Sequence, residues 1–111
     1  MTNKEIVLRF FDEVFNAHDL TKVGEYVRKD YIQHNPQAAQ GLDGLLEFLK
    51  GFFQLEARHD VQFALEDGDK VAVYVYVTFK DGSKAIVTDI FRLEDGMMVE
   101  HWDSVQRNAS F

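Results

Sequence analysis

The stretch Val71–Phe79, which reads VAVYVYVTF, decides the fold of this chain. Every second residue in it is valine or phenylalanine, and the residues between them are alanine, tyrosine and threonine. A period of two is typical of a β-strand that has one buried face. The stretch therefore predicts a strand whose odd-numbered side chains face a hydrophobic core.

Asp-Gly pairs on both sides of this strand predict how it is connected. They occur at 67/68, 81/82 and 95/96, at a regular spacing. Asp-Gly between β-like runs is a strong hairpin signal, so this spacing predicts an antiparallel meander of four strands. Three-residue loops at the turns predict the pairs that face each other across each hairpin: Leu65 and Asp69, Phe79 and Ser83, and Leu93 and Met97.

With these loops, all four strands turn their odd-numbered residues to the core. That face carries Val61, Phe63, Val71, Val73, Val75, Val77, Ala85, Val87, Phe91, Val99 and Val105. Four polar residues interrupt it within the strands: His59, Asp89, His101 and Asp103. In this register Asp89 lies directly opposite His101, with Asp103 on the diagonal. A two-residue loop at 95/96 would instead pair Asp89 with Trp102 and turn His101 to the other face.

The cluster of Asp89, His101 and Asp103 predicts acid/base chemistry. A carboxylate on an apolar sheet face is costly to keep charged, so the pKa of Asp89 should be raised. Strongly perturbed groups of this kind are typical of acid/base sites. The alternative is a structural ion pair of Asp89 with His101 or Arg92, with Asp103 hydrated at the end of the sheet.

The first half of the chain has helical periodicity. Thr2 and Glu5 have the spacing of a capping box, and the apolar residues that follow predict a helix over residues 3–17. Asp19 can cap a shorter second helix. Residues 31–36 should be extended, because a proline at the end of this segment disfavours helix before it. The apolar stripe over residues 42–53 predicts a third helix.

Length and composition restrict the class of protein. The 111 residues predict a single domain over residues 1–111, and the formal net charge of −7 argues against nucleic acid and anionic membranes as partners. Because there is no cysteine, no disulfide, thiolate metal site or cysteine nucleophile is expected. We also predict no signal peptide and no membrane span, and a cytoplasmic location.

The even-numbered face of the meander predicts self-association. It carries Tyr74, Tyr76, Thr78, Ile86, Thr88, Ile90 and Trp102. A contiguous patch of this kind is too apolar to remain exposed on a monomer. We therefore expect a homodimer in which two sheets pack face to face, the alternative being ordinary surface aromatics.

The order of elements resembles that of the nuclear transport factor 2-like superfamily, whose members form a cone with a deep pocket. More narrowly, YIQHNP at 31–36 and DIFRLEDGMMVEHWDSVQ at 89–106 resemble the SnoaL-like polyketide cyclase branch, which includes predicted aldol-condensation enzymes. The resemblance implies an α+β fold. In it a cone-shaped, curved antiparallel sheet, made of the meander and a short first strand, packs on three N-terminal helices.

The resemblance also implies roles for individual residues. Asp103 falls on the aspartate of the final strand that acts as acid/base in SnoaL cyclases. Asp89 falls on the protonated oxyanion-hole aspartate of ketosteroid isomerase, which has a similar fold. The base of that isomerase aligns with Asn35, and an amide cannot abstract a proton, so the usual isomerisation route is not expected. Gln33, His34 and Asn35 should line the pocket mouth.

The sequence thus predicts an enzyme that moves a proton next to a carbonyl, as a cofactor-independent cyclase, lyase or isomerase. The substrate should be small and apolar and carry a carbonyl, and no metal is expected because the histidines lack paired spacing. The alternative is a non-catalytic small-ligand binding or dimerisation domain of the same fold. The expected catalytic residues are Asp103, Asp89 and His101, and the expected substrate-binding residues are His34, Asn35, Gln33, His59 and Trp102.

Overall fold

The structure, a computed structural model, describes residues 1–111 and begins with the predicted capping box. The Thr2 hydroxyl accepts a hydrogen bond from the Glu5 N–H at 3.1 Å, and the Glu5 carboxylate accepts one from the Thr2 N–H at 3.2 Å. Helix α1 spans Asn3–Phe10 and continues as a π-helical segment over Phe11–Asn16. The helix predicted over residues 3–17 is therefore confirmed, with a wider winding in its second half.

The rest of the first half alternates short helical elements with one strand. Asp19 caps the second helical region, as predicted, because its Oδ1 accepts a hydrogen bond from the Thr21 N–H at 2.9 Å. The elements that follow are a 3₁₀ turn over Leu20–Lys22, helix α2 over Val23–Tyr26, strand β1 over Val27–Gln33, helix α3 over Gly41–Phe52 and a 3₁₀ turn over Phe53–Leu55. The third helix is confirmed. The extended segment was predicted to begin at residue 31, but β1 already begins at Val27.

The second half is the predicted antiparallel meander. Its strands are β2 over Arg58–Asp67, β3 over Lys70–Thr78, β4 over Lys84–Glu94 and β5 over Met97–Arg107. The order in the sheet is β1-β5-β4-β3-β2, and β1 pairs with β5 in parallel at one edge. This curved, open five-stranded sheet packs on the N-terminal helices, which confirms the α+β cone.

The core lies between the helices and the inner face of the sheet. Phe10 and Val14 of the first helix and Leu49 of α3 are fully buried against the valines of β3. Burying one such side chain contributes about 1.5–3 kcal/mol, so this layer supplies much of the stability of the fold. None of the helices has the length and hydrophobicity that crossing a membrane requires.

One of the three turns has the predicted geometry, and two do not. At the middle turn Phe79 opposes Ser83, and the Phe79 N–H donates to the Ser83 carbonyl at 2.9 Å. At the other turns, however, Asp67 pairs with Lys70 and Glu94 pairs with Met97. These are two-residue loops, so the three-residue loops predicted there were wrong.

A β-bulge in each of these hairpins compensates for the tighter loop. In β5, Val99 is an extra residue between Met98, which pairs with Leu93, and Glu100, which pairs with Arg92. Beyond the bulge, the loop and the bulge together shift the pairing by two residues from the predicted register. A shift of two leaves each of those residues on its predicted face. The odd-numbered residues of β5 beyond the bulge therefore remain on the inner face, as predicted.

The two-residue loop between β2 and β3 places Phe63 on the outer face, because Phe63 lies between that loop and the bulge. Gln62 is the extra residue at the bulge, and Phe63 pairs with Tyr74 instead of facing the core. Its side chain is 53% exposed, and its ring stacks on that of Tyr74 with centroids 5.2 Å apart. The prediction that Phe63 lies on the core face was therefore wrong, because the parity of β2 changes at the bulge.

Candidate active site

A cavity of about 580 Å³ opens between the inner face of the sheet and the helices. Its volume is in the range of small-molecule sites. The residues that line it are mainly hydrophobic and include Phe10, Phe15, Leu45, Phe48, Phe52, Val77, Val87 and Phe91. Six of the predicted site residues also line it: Gln33, Asn35, His59, Asp89, His101 and Asp103.

The two aspartates lie directly opposite each other on adjacent strands. Asp89 of β4 pairs with Asp103 of β5, and His101 pairs with Phe91. The sequence predicted His101 opposite Asp89 and Asp103 on the diagonal, and this order was wrong because of the two-residue register shift. His101 nonetheless reaches Asp89 along the diagonal, with its Nε2 2.7 Å from Asp89 Oδ1.

The partners of Gln33 fix where the protons of His101 lie. Gln33 Oε1 accepts a hydrogen bond from the Asn35 N–H at 3.1 Å, which sets the orientation of the side-chain amide. The same oxygen lies 2.7 Å from His101 Nδ1, so Nδ1 must carry a proton and donate it. A single proton therefore suffices for the bond between His101 Nε2 and Asp89 Oδ1.

Burial decides on which side of this bond the proton is held. Asp89 is 9% exposed, and its burial in the apolar cavity raises the pKa of its carboxyl. The hydrogen bond and positive charge of His101 oppose this shift in pKa, whereas the charge of Asp103 adds to it. Burial and the charge of Asp103 thus favour a protonated Asp89, whose carboxyl donates to His101 Nε2.

Asp103 is less buried than Asp89 and has a different hydrogen-bond partner. Asn35 Nδ2 donates to Asp103 Oδ2 at 2.9 Å, and Asn35 Oδ1 accepts from the Gln37 N–H at 2.9 Å. These contacts fix the Asn35 amide and leave Asp103 Oδ1 without a protein donor. Asp103 thus presents a carboxylate oxygen to the cavity beside the Asp89–His101 pair.

Gln40 and Tyr31 are part of the site but were missed from the sequence. Gln40 accepts from the Gln33 N–H at 2.9 Å and donates to the Gln33 carbonyl at 2.7 Å, so it holds the end of β1 in place. Tyr31 lines the cavity with its ring parallel to that of His101. Burial, and then the charges of Asp89 and Asp103, raise the pKa of Tyr31, so its hydroxyl remains a hydrogen-bond donor.

His59 lines the cavity far from this network. It is 8% exposed, and its ring lies 4.7 Å from the ring of Phe15 and 5.7 Å from that of Phe52. Burial, with a smaller effect of the charge on His18, lowers the pKa of His59 to about 4. The ring is therefore neutral at neutral pH.

His34 and Trp102 lie outside the cavity, although both were predicted to bind substrate. Their rings stack at 5.0 Å on the outer face of the sheet, and His34 Nε2 lies 2.7 Å from the Glu100 carboxylate. Side chains alternate along a strand, so the neighbours of inward-facing Gln33, His101 and Asp103 must point outward. The structure does not bring these two residues to the other site residues.

Asp89, His101 and Asp103 form the one group of side chains whose spacing could hold a metal ion. Their ligand atoms all lie within 4.8 Å of one another. Two of these atoms, His101 Nε2 and Asp89 Oδ1, are already bonded to each other. An ion bound there would have to replace that hydrogen bond, so the donor set fits proton transfer better than metal binding.

Comparisons with known proteins agree with this architecture. Residues 7–101 match a family model described as a SnoaL-like domain, whereas no curated protein matches the chain.

A SnoaL-like polyketide cyclase from Agrobacterium tumefaciens is 16% identical, with 96% of this chain and 92% of that chain covered and a TM-score of 0.83. IdmH from Streptomyces antibioticus, a candidate polyketide cyclase, is 19% identical, with coverages of 95% and 92% and a TM-score of 0.81. A candidate ketosteroid isomerase from Kribbella flavida is also 19% identical, with coverages of 97% and 80% and a TM-score of 0.84. At these identities the similarity to solved structures shows a shared fold.

Proposed function

Because this chain belongs to the SnoaL-like domain family, we propose that it is an enzyme that moves a proton next to a ketone carbonyl. The reaction type would be an intramolecular aldol cyclisation of a small, mostly apolar substrate. One observation carries the proposal: a carboxylate and a buried, proton-sharing Asp–His pair lie side by side on the wall of an apolar cavity.

In this proposal Asp103 is the base. Its Oδ2 is held by Asn35 at 2.9 Å, which orients the carboxylate while Oδ1 faces the ligand. A positioned carboxylate can remove the acidic proton on the carbon next to a carbonyl, and a general base typically contributes about 10²- to 10⁴-fold in rate. The proton moves to Asp103, and the electron pair of the broken C–H bond forms the enolate.

The Asp89–His101 pair is the matching acid. As the enolate forms, negative charge develops on the carbonyl oxygen, and a hydrogen-bond donor held in a dry site stabilises that charge. To donate to that oxygen, Asp89 turns its carboxyl proton from His101 Nε2 to the enolate, while His101 stays anchored by its Nδ1–H bond to Gln33. Because Asp89 is directly opposite Asp103, a carbonyl can contact the acid while its neighbouring carbon contacts the base.

The acid and base groups of the site are sufficient for a reaction that needs no cofactor. The ketone itself activates the neighbouring proton, and positioned acid and base groups supply the rest. Asn35 bonds to Asp103 and cannot act as a base, which favours aldol chemistry over the steroid-isomerase route. The mainly hydrophobic cavity lining favours a substrate with little charge.

Solvent deuterium exchange tests the proposed function without knowledge of the product. A panel of aryl and cyclic ketones, including 4-acetylbiphenyl, is incubated with the protein in D₂O, and loss of the proton signal next to the carbonyl is followed by NMR. We expect protein-dependent exchange for at least one mostly apolar ketone. Binding of ketones without exchange would support the non-catalytic ligand-binding alternative.

We also propose that the protein is a homodimer through the outer face of the sheet. Tyr74, Tyr76 and Ile90 form the middle of this face, and Leu65 at its edge is 64% exposed. No charged side chain lies among these three central residues along β3 and β4, so a second copy of the same sheet is a suitable partner.

Light scattering of the Tyr76→Glu variant tests this interface. Burying a new carboxylate between two sheets is costly, so we expect the variant to be monomeric at micromolar concentration while the wild-type protein is dimeric. Gln54→Glu, which adds the same charge on an exposed residue away from the sheet, is the control and should leave the dimer intact. A monomeric wild-type protein would contradict the proposal.

A further inference from the structure

Apart from Arg107 at the end of β5, the polar residues that line the cavity fall into two separated groups. The acid/base network occupies the β4 and β5 side of the inner face, whereas His59 lies alone on β2. His59 pairs with Val77, and Asp89 pairs with Val73 on the same strand β3. The two positions are thus separated by four residues along β3 and by two strand spacings, roughly 13 Å along the strands and roughly 10 Å across them.

The surroundings of His59 give its ring no side-chain hydrogen-bond partner. The ring packs among Phe11, Phe15 and Phe52, and its Nδ1 is fully enclosed without a hydrogen bond. The main chain of His59 is held independently, because Asn16 bonds to both its N–H and its carbonyl at 2.8 Å. An apolar side chain would fill this position without leaving a buried nitrogen unpaired, so packing alone does not explain a histidine here.

The other ring nitrogen, Nε2, has no side-chain partner, and the ring lines the cavity; a backbone contact with Ala57 has a smaller effect on the pKa of His59 than burial or His18. Nε2 is therefore the atom that a ligand can engage. At neutral pH the ring is neutral, with one N–H and one lone pair, and a hydroxyl group can bond to Nε2 in either tautomer because it both donates and accepts. The one charged residue that lines this end of the cavity is Arg107, which lies on the same cross-strand row as His59 but three strand spacings away, so a group bound at His59 itself has no adjacent counter-charge.

We infer that His59 is a second recognition point, which binds a hydroxyl group at the end of the substrate remote from the reacting ketone. This inference rests on the proposed function, because the ketone end is defined by Asp103 and Asp89. It narrows the substrate class to elongated, mostly apolar molecules that carry a ketone at one end and a hydroxyl at the other. The phenylalanines between the two ends would contact the apolar middle of such a molecule.

A matched pair of rigid probes tests the inference. 4-Acetyl-4′-hydroxybiphenyl carries a ketone and a hydroxyl at opposite ends of a rod, and 4-acetylbiphenyl lacks only the hydroxyl. Their dissociation constants are measured by calorimetry for the wild-type protein, His59→Phe and His59→Leu. His18→Asn serves as the control, since His18 is a histidine outside the cavity and near β2.

The wild-type protein and His18→Asn should bind the hydroxylated probe about fivefold more tightly than the plain probe, as one net hydrogen bond allows. Both His59 variants should lose this preference, keep their affinity for 4-acetylbiphenyl and show no fall in Tm. Equal preference in wild type and variants, or equal affinity of the wild type for both probes, would contradict this inference alone. If the wild type bound neither probe, the proposed ketone site would fail, and this inference with it.

Discussion

Replacing Asp103 by asparagine is expected to lower kcat/KM for ketone exchange by about 10²- to 10⁴-fold. An amide of nearly the same shape cannot take up the proton from the carbon next to the carbonyl. Its oxygen can still accept the hydrogen bond from Asn35, so the fold and the affinity for the ketone should be retained. Exchange rates from NMR, together with Tm and the dissociation constant of 4-acetylbiphenyl, separate loss of the base from loss of the site.

Asp12→Asn is the matched control for this variant. Asp12 is exposed on the π-helical part of the first helix and makes no ion pair, so the same chemical change there should leave exchange unaltered. Full exchange activity in Asp103→Asn would contradict the assignment of Asp103 as base. A large fall in Tm would show that Asp103 is needed for folding instead.

Replacing Asp89 by asparagine is expected to reduce exchange by about 10²- to 10³-fold, the usual effect of losing one donor to a developing oxyanion. The new amide can still donate to His101 Nε2, so the geometry of the pair should persist. What is lost is the acidic carboxyl proton that Asp89 shares with His101 and can pass to the enolate oxygen, since an amide N–H is a far weaker acid. If the double variant with Asp103→Asn is no slower than either single variant, the two aspartates act as one unit.

The same variant has a predicted effect on stability that depends on pH. Burial raises the pKa of Asp89 in the folded state, so the folded protein binds this proton more tightly than the unfolded chain. The stability that this proton contributes is present below the unfolded pKa of about 3.9 and is lost as pH rises towards the folded pKa. Asparagine does not titrate there, so the Tm of Asp89→Asn relative to wild type should increase as the pH is raised from about 4 towards neutral.

Thermal unfolding across this pH range, with Asp12→Asn alongside, measures the trend. A variant that is less stable than the wild type throughout the range would contradict a neutral Asp89. It would instead indicate the structural ion pair between an Asp89 carboxylate and a protonated His101, because removal of one partner would leave a buried charge.

Local sequence patterns predicted most of the fold. The alternation in Val71–Phe79 and the Asp-Gly pairs predicted the meander, and the capping box predicted the first helix. These signals depend on neighbouring residues only, so a single sequence contains them in full. The resemblance of two segments to the SnoaL-like branch agreed with the family match over residues 7–101.

The exact strand register could not be predicted, because bulges depend on pairing across strands. Gln62 and Val99 are the extra residues in β2 and β5, and neither is a glycine or proline that would indicate a bulge. In β5 the loop and bulge together shift the register by two, so Asp89, His101 and Asp103 still share a face. In β2 the residues between the bulge and the turn, from Phe63 to Asp67, face the side opposite to the predicted one.

Site residues could be predicted from the sequence where alternation along a strand determines which way a side chain points. They were missed where contacts between distant parts of the chain bring a side chain to the site. Trp102 lies between two inward-facing residues, and its even position already indicated the outer face. Gln40 reaches Gln33 through a loop, and only the folded chain brings the two side chains together. Tyr31 could have been found, since it lies two positions before Gln33 and so shares its face in β1.

The most direct test of Asp103 as the catalytic base is deuterium incorporation into the acetyl methyl group of 4-acetylbiphenyl in D₂O, followed by NMR with wild-type protein and Asp103→Asn in paired samples. We expect the methyl proton signal to decay faster than in buffer with the wild-type protein and at the rate of buffer alone with the variant. Tight binding of the ketone by both proteins, with exchange no faster than in buffer for either, would contradict an acid/base enzyme.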